Sequence, residues 1–566
     1  MPVNKKFWAN YANHLKWHKF PNKIFEKISD KPMWFHDGKI NVYYNCIIRH
    51  IEKGNGKKLA IIYVNKKGEV SSFSYFEISN LVEKFSFFLN KYTKNRKVKI
   101  MIHASASIDT TIAMLSCASL GLHFSVVFEE LENDALEKRI KLFKPDILFS
   151  KKISKKISFK FNKIKSIKLD SYKKLKVFSK KNKLKNFIST NPLFTLFTSG
   201  STGMPKGITH SSGGYLLFSL YTCKKYFGLK RDSLILTASD AGWINGHTYA
   251  IFGPLSIGAS TVILEKPILL LNKNVLISII NMGITILYVP VTLLRIMKSL
   301  YGNINLKNPK LKTLGSMGEP LANSVGRWFV KNFGVKNMPI INTYFQTETG
   351  GIITSHRFNQ KIEQKFYGYV GEPIKSHIKL NYLSNKKKEI KILNSWPGQM
   401  INVINSKKYW NEYFDEFKNF RMFDYATKKG DNIFIHGRTD DVINIRGHRI
   451  GSSEIEAVVL ELNSIIECSA ICVDDDMEGN IFYLFCKSLT KKISDIEVKI
   501  IKNFGTYAIP RKIYFVDEIP KTRSGKIMRR VLRDLVKNPR KAIKSDISTL
   551  VNKNILKSIS NVIKNT

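Results

Sequence analysis

The ten residues Thr198-Ser-Gly-Ser-Thr-Gly-Met-Pro-Lys-Gly207 hold three glycines, four hydroxyl side chains and one lysine. Glycines let a backbone come close to a ligand. Successive N–H groups beside a lysine make a cradle for an anion. The loop is not a Walker A motif, because the second glycine would have to stand where the chain has Pro205. Taken alone, it reads as a Gly/Ser surface turn, and further stretches change that balance. Gly315-Ser-Met-Gly-Glu-Pro320 is another glycine turn, and Asn342-Thr-Tyr-Phe-Gln-Thr-Glu-Thr-Gly-Gly351 combines hydroxyls, a carboxylate and an aromatic pair. Gly437-Arg-Thr-Asp-Asp-Val-Ile-Asn-Ile-Arg-Gly-His-Arg449 is dense in charge, and Pro520-Lys-Thr-Arg-Ser-Gly-Lys526 sets a lysine beside a glycine. These parts suit a nucleoside triphosphate. The glycine turns admit phosphate and base, and Tyr344 can stack on adenine. Glu348 can hold Mg²⁺, which prefers carboxylate plus phosphate oxygens. Asp424 or another acid can take ribose hydroxyls, and Lys526 can stabilise charge on a transferred group. Each has a bland alternative: core aromatics for Tyr344 and Phe345, solvated charges for Glu348 and Lys526.

The elements that must position these residues alternate. The apolar Phe194–Phe197 reads as a buried strand before the glycine loop. Residues 57–150 read as strand Leu59–Val64, helix Tyr75–Tyr92, strand Lys97–His103, helix Ile108–Leu120, strand Phe124–Phe128 and helix Asn133–Phe143. Such alternation implies a parallel, doubly wound sheet. The pattern resumes at Phe194 and runs to about residue 360, after which 361–436 turns strand-rich and barrel-like. The expected organisation is an N-terminal arm at 1–56, a large α/β domain at 57–439, a small mobile α+β C-terminal domain at 440–535, and a basic tail at 536–566. Residues 151–190, rich in lysine, read as a solvated irregular excursion.

Composition narrows the class. The chain has 566 residues, 43% of them hydrophobic and 24% charged, which is ordinary for a globular protein. The most apolar stretch, Ile268–Leu294, is interrupted by Asn272, Lys273, Asn274, Gly283 and Pro290, so no membrane span is expected. No apolar leader follows Met1, and the six scattered cysteines form no CxxC pair. A reducing cytoplasmic setting is therefore the expectation. Cys468 and Cys472 would share one face of a strand and read as core. The net charge of +48 is spread along the whole chain and carried mainly by lysine, with no aromatic ladder or recognition helix. It reads as a biased composition that favours anionic small molecules, not as a specific nucleic-acid surface.

Together the motifs resemble the adenylate-forming superfamily, and within it the AMP-forming acetyl-CoA and propionyl-CoA synthetases. The resemblance runs from about Trp34 to about Arg530, and Trp34-Phe35, Asp240-Ala-Gly-Trp-Ile-Asn-Gly-His247 and Ser395-Trp-Pro-Gly398 are similar to the short-chain members. Met422-Phe-Asp-Tyr425 is closer to the propionate branch. The resemblance implies ligation of a short carboxylate to coenzyme A through an acyl-adenylate, with ATP, Mg²⁺ and coenzyme A as the small molecules. It implies that Thr198, Ser199, Gly200, Ser201, Thr202, Gly203 and Lys206 hold phosphates. Gly318, Glu319, Pro320, Asn342, Thr343, Tyr344, Phe345 and Gln346 line the nucleotide segment. Thr347 meets the α-phosphate, Glu348 the metal, Asp424 and Arg438 the ribose, and Arg449 a phosphate. Ile244, Asn245, Met317 and Phe345 shape the acyl pocket, Arg446 and Gly447 border the coenzyme A path, Asp440 is the hinge, and Lys526 is catalytic for adenylation. A lysine acetyltransferase and deacetylase pair acting on Lys526 is implied as a partner.

Departures from the family pattern are Arg446, Ile501 beside Lys502, Glu129-Glu130 in place of paired glycines, and Asp474-Asp-Asp476. Arg446 and Ile501 fall where the family meets coenzyme A, Glu129-Glu130 replace the glycines after the Ser-Val-Val-Phe strand, and Asp474-Asp-Asp476 replaces a histidine of the family's C-terminal metal site. Rival readings are a ligase for another small acid, a non-catalytic nucleotide-binding relative, and a nucleic-acid-binding protein.

Overall fold

The computed structural model describes the chain apart from residues 1–3, 94–97, 132, 153–156, 158–159, 176–183, 200–204, 336–337, 375–377, 405–406, 440–441, 446–447, 476–478, 523–526, 539–546, 548–549 and 566. Two seven-stranded sheets dominate it. The first runs Asn402–Ile404, Pro205–Ser211, Pro192–Ser199, His123–Val127, Lys99–His103, Ile147–Ser150, Lys165–Lys168. Its last five strands are parallel, and the first three pair antiparallel. The second runs Ile340–Asn342, Thr313–Met317, Ile286–Pro290, Leu234–Thr237, Ser260–Leu264, Leu59–Val64, Val70–Ser74 and is parallel except at its final edge.

The reason lies in the residues. Leu234–Thr237 and Ser260–Leu264 are buried along their whole length, as near-continuous apolar strands of a covered parallel sheet must be. Helix Tyr75–Thr93 buries Tyr75, Ile78, Val82, Phe85 and Leu89, a stripe at three- and four-residue spacing. Helix Ile108–Leu120 starts where the Ser107 side chain accepts from Thr110 N–H and stops at Gly121, whose φ is +65°.

The N-terminal arm is an integral layer. Trp8, Trp34 and Phe35 are buried in the largest core, and Trp34 Nε1 donates to Ser395 Oγ at 3.0 Å. In the barrel-like region the described strands Lys388–Ile392, Phe420–Lys429 and Asn432–Arg438 form an antiparallel sheet. The small domain joins Ile465–Asp475, Gly479–Ser488 and Lys512–Phe515 in a sheet. Cys468 lies in its core, with Cys472 packed against the same cluster.

Two stretches differ from expectation. Residues 151–190 are not a solvated excursion throughout: Lys165–Lys168 extends the first sheet, Phe187–Ile188 pairs with Lys39–Ile40, and Tyr172 is buried. Apolar side chains on alternate positions do this despite the surrounding lysines. The expected basic tail contributes helix Ile555–Asn565, whose Ile555 and Ile559 join Leu550, Val531 and Leu532 in a core of the small domain. Its apolar stripe has a partner there to cover it.

Candidate functional site

The strands flanking the glycine loop pair with each other, Thr198 opposite Lys206 and Ser199 opposite Pro205. Gly200, Ser201, Thr202 and Gly203, predicted to hold phosphates, lie outside the described residues, as do Asp440, Arg446, Gly447 and Lys526. Lys206 is described in detail. Its ammonium is 3.1 Å from a Glu412 carboxylate oxygen and stands 4.6 Å and 5.4 Å from the ring centroids of Tyr409 and Tyr413.

Thr347 and Glu348 sit on a short 3₁₀ turn, Thr347–Thr349, that neighbouring elements hold by its carbonyls. His210 Nε2–H donates to Thr347 O at 2.8 Å, Met400 N to Glu348 O at 3.0 Å, and Trp396 Nε1 to Thr349 O at 2.9 Å. Burial pushes the His210 imidazole down to about 4, so it stays neutral near pH 7. Gly350 follows with φ +72°, and a Cβ there would meet Gly398 O at 2.3 Å. Only glycine fits that approach. The turn leaves the Glu348 carboxylate buried, with Oε1 accepting from the Tyr413 hydroxyl at 2.6 Å.

Tyr413 thus touches both charged groups: its hydroxyl meets Glu348 and its ring faces Lys206. Neither Glu412 nor Tyr413 carries a motif; their place becomes visible only in three dimensions. Glu412 holds the ammonium that a triphosphate would need. On the reading of Lys206 as a phosphate-binding group, Glu412→Gln should lower the Michaelis constant for ATP by about two- to threefold, the size of a partly exposed ion pair. An unchanged constant would mean that this pair does not compete with ligand.

On the other side of the turn, Asp424 is 7% exposed. Its Oδ2 accepts from Tyr344 Oη at 2.6 Å and from Gln346 Nε2 at 2.8 Å. Burial, then the Asp424 charge, pushes the Tyr344 phenol well above its ordinary range, so the phenol keeps its proton and acts as a donor. Arg438 pairs in register with Asp424, and its guanidinium donates to Met422 O at 3.4 Å. Glu319 is ion-paired with Arg295 at 2.5 Å next to Pro320. Gly318, at φ +90°, leaves open space where a side chain would begin.

Asn342 and Thr343 face inward. The Asn342 amide accepts from Ser316 and donates to Gly368 O, and Thr343 Oγ1 is 2.7 Å from Tyr288 Oη. These two support the segment from beneath. Beside them, Met317 is buried in a cluster with Tyr249, against which Phe345 packs edge-on at 5.6 Å. Ile244 is buried nearby in sequence to Asn245, whose amide oxygen lies 3.4 Å from Tyr288 Oη. Arg449 belongs to strand His448–Gly451, opposite Asn444.

Comparison with known proteins adds three family matches. Residues 48–398 match the AMP-binding enzyme model, 454–526 the AMP-binding enzyme C-terminal domain, and 4–46 the acetyl-coenzyme A synthetase N-terminus. The chain is 31% identical to an acetyl-coenzyme A synthetase of Herminiimonas arsenicoxydans, over 98% of this chain and 93% of that one. It is 29% identical to acetyl-coenzyme A synthetase 1 of Candida glabrata, over 99% and 89%. Among solved structures, acetoacetyl-CoA synthetase from Streptomyces lividans superposes with a TM-score of 0.83 at 16% identity, covering 99% of this chain and 92% of that one. An anthranilate CoA ligase in complex with anthranoyl-AMP gives 0.76 at 18% identity, covering 88% and 97%. Those two likenesses show the fold.

Proposed function

This chain belongs to the AMP-binding enzyme family, and we propose that it joins acetate or propionate to coenzyme A through an acyl-adenylate, releasing AMP and pyrophosphate. The observation that carries this reading is that Tyr413 brings Lys206 and Glu348 together, its ring facing the ammonium and its hydroxyl donating to the carboxylate, while Tyr344, four residues before Glu348, donates to Asp424, in a chain similar along nearly its whole length to acetyl-coenzyme A synthetases.

In the first step a carboxylate oxygen attacks the α-phosphorus of ATP, the bond to the bridging oxygen breaks, and pyrophosphate leaves with the electron pair. Lys206 and the hydroxyls of Thr198, Ser199, Ser201 and Thr202 hold the departing phosphates, with Gly200 and Gly203 allowing close approach. Thr347 meets the α-phosphate. Gly318, Glu319 and Pro320 border adenine, Tyr344 stacks on it, and Asp424 and Arg438 take the ribose hydroxyls. Arg449 holds a phosphate, and Lys526 offsets the charge developing at phosphorus. The buried Glu348 carboxylate, beside the Tyr413 hydroxyl, suits Mg²⁺ shared with phosphate oxygens, so Glu348 would hold it. When bound, Mg²⁺ neutralises phosphate charge.

In the second step the coenzyme A thiolate attacks the acyl carbon and AMP departs. Arg446 and Gly447 border its path, and rotation about Asp440 admits it. Acetylation of Lys526, reversed by a deacetylase, would remove the charge that the first step needs. A cytoplasmic setting accords with six free cysteines. No helix among the described residues is long and apolar enough to cross a membrane.

Phe345, Met317, Ile244 and Asn245 give the pocket its size. Propionate should be used at least as well as acetate, with modest discrimination, because one methylene is worth about 1–3 kcal/mol. Phe345→Gly should extend use to butyrate and hexanoate. Specificity constants for the four acids, from pyrophosphate release with and without coenzyme A, test both statements. A wild type preferring hexanoate, or a variant with an unchanged profile, would overturn the assignment.

A further inference from the structure

Phe423 carries a backbone conformation that bulky residues avoid. Its φ is +55°, in the left-handed region. It lies where the strand Phe420–Lys429 breaks register with Lys388–Ile392. Glu389 pairs with Tyr425 and Lys391 with Arg421, so the single residue Ile390 faces the stretch 422–424. Bulges of this kind bend a strand and re-aim a side chain, often beside active sites. Here the residue that follows is Asp424, turned into the interior to meet Tyr344 Oη and Gln346 Nε2. The bulge is held on both flanks: Gln346 Nε2 donates to Met422 O at 2.5 Å, and Thr439 N to Phe423 O at 2.9 Å.

The ring is placed as purposefully as the backbone. The Arg421 and Arg438 guanidinium carbons lie 4.7 Å and 5.5 Å from its centroid, and Tyr413 packs edge-on at 5.7 Å. The Arg421 charge is already met by a two-pronged pair with Glu389, at 2.9 Å and 3.1 Å. Arg438 is the residue paired opposite Asp424. Strained backbone persists where its surroundings over-determine it, and it collects at ligand sites. We propose that Phe423 is a positioning residue for ribose recognition: its left-handed turn aims Asp424, and its ring is the platform that holds the guanidinium of Arg438, the residue paired opposite Asp424. The inference rests on the reading of Asp424 and Arg438 as the ribose groups.

Two full-length variants separate ring from backbone. Phe423→Gly keeps the left-handed turn without cost and removes the platform. Phe423→Ile keeps bulk but is β-branched, which disfavours that turn. In acid-dependent ATP–pyrophosphate exchange, both should raise the Michaelis constant for ATP by about five- to tenfold, the scale of a lost cation–π contact or misaimed hydrogen bond. Both should also shrink the preference for ATP over 2′-deoxy-ATP and 3′-deoxy-ATP, leaving the constants for carboxylate and coenzyme A in place. Phe423→Tyr should restore wild-type behaviour. Asp424→Asn runs in parallel, and its retaining the ribose preference would sink the ribose reading itself. If Asp424→Asn loses the preference while Phe423→Gly or Phe423→Ile keeps it, the inference about Phe423 alone is wrong. Equal losses for ATP, carboxylate and coenzyme A would likewise overturn it, by showing a merely structural residue.

Discussion

In Lys526→Ala, carboxylate-dependent ATP–pyrophosphate exchange should fall about a hundredfold or more, the scale expected when a charge-stabilising donor is removed. Conversion of supplied acyl-adenylate and coenzyme A to thioester should be largely spared. On the proposed role of Lys526, the two half-reactions separate because the Lys526 cation serves only the step in which charge builds at phosphorus. The thioester step breaks a bond to AMP and has no such need. Homogeneously acetylated protein should reproduce the variant, since acetylation removes the same charge. Equal loss in both half-reactions would make Lys526 structural, and full activity of the acetylated protein would exclude the switch.

The second large effect is on stability. Glu456, on helix Ser452–Val459, is buried and receives Arg529 in two prongs, with Arg529 Nη2 2.6 Å from Oε2 and 2.8 Å from Oε1. Ala470 N donates to the same carboxylate at 2.8 Å. Removing one partner of a buried pair strands the other, so Arg529→Met should cost about 3–5 kcal/mol. Burial already pushes the Glu456 carboxyl above its ordinary range, with Arg529 pulling it back. Without Arg529 it rises further. A carboxyl raised in the folded state favours folding as pH falls through that raised value. The deficit of Arg529→Met should therefore shrink on acidification, and Arg529→Met/Glu456→Met should recover much of it. Chemical denaturation across pH measures this. A loss independent of pH would contradict a stranded carboxylate.

Much of this molecule could be read from local chemistry. Helix Ile108–Leu120 was legible to the residue because its cap and its stop are both written beside it. Strand Leu59–Val64 and helix Asn133–Phe143 also match their expected bounds. The stretches Thr198–Gly207 and Asn342–Gly351 stand out in the sequence because their residue types invite chemistry. Other features depend on distant partners. His210 reaches Thr347 across 137 positions, and Tyr413 reaches Glu348 across 65; no window of sequence holds either pair. Phe423 looks like an ordinary strand aromatic until its φ is known. Tyr172 and Ile559 lie in lysine-rich stretches whose composition hides that both are buried.

The arm that packs Trp34 against Ser395 has a consequence for how the protein is made. The hydrogen bond between them spans 361 positions, and Lys31 likewise reaches Asn402. At synthesis rates of about 5–20 residues per second, the first partner waits about 20 to 70 seconds for the second to be polymerised. Trp8 can meet Phe218 and Tyr221 well before then, but Trp34 must wait for Ser395. The arm thus completes its docking only after the chain beyond residue 395 has been made.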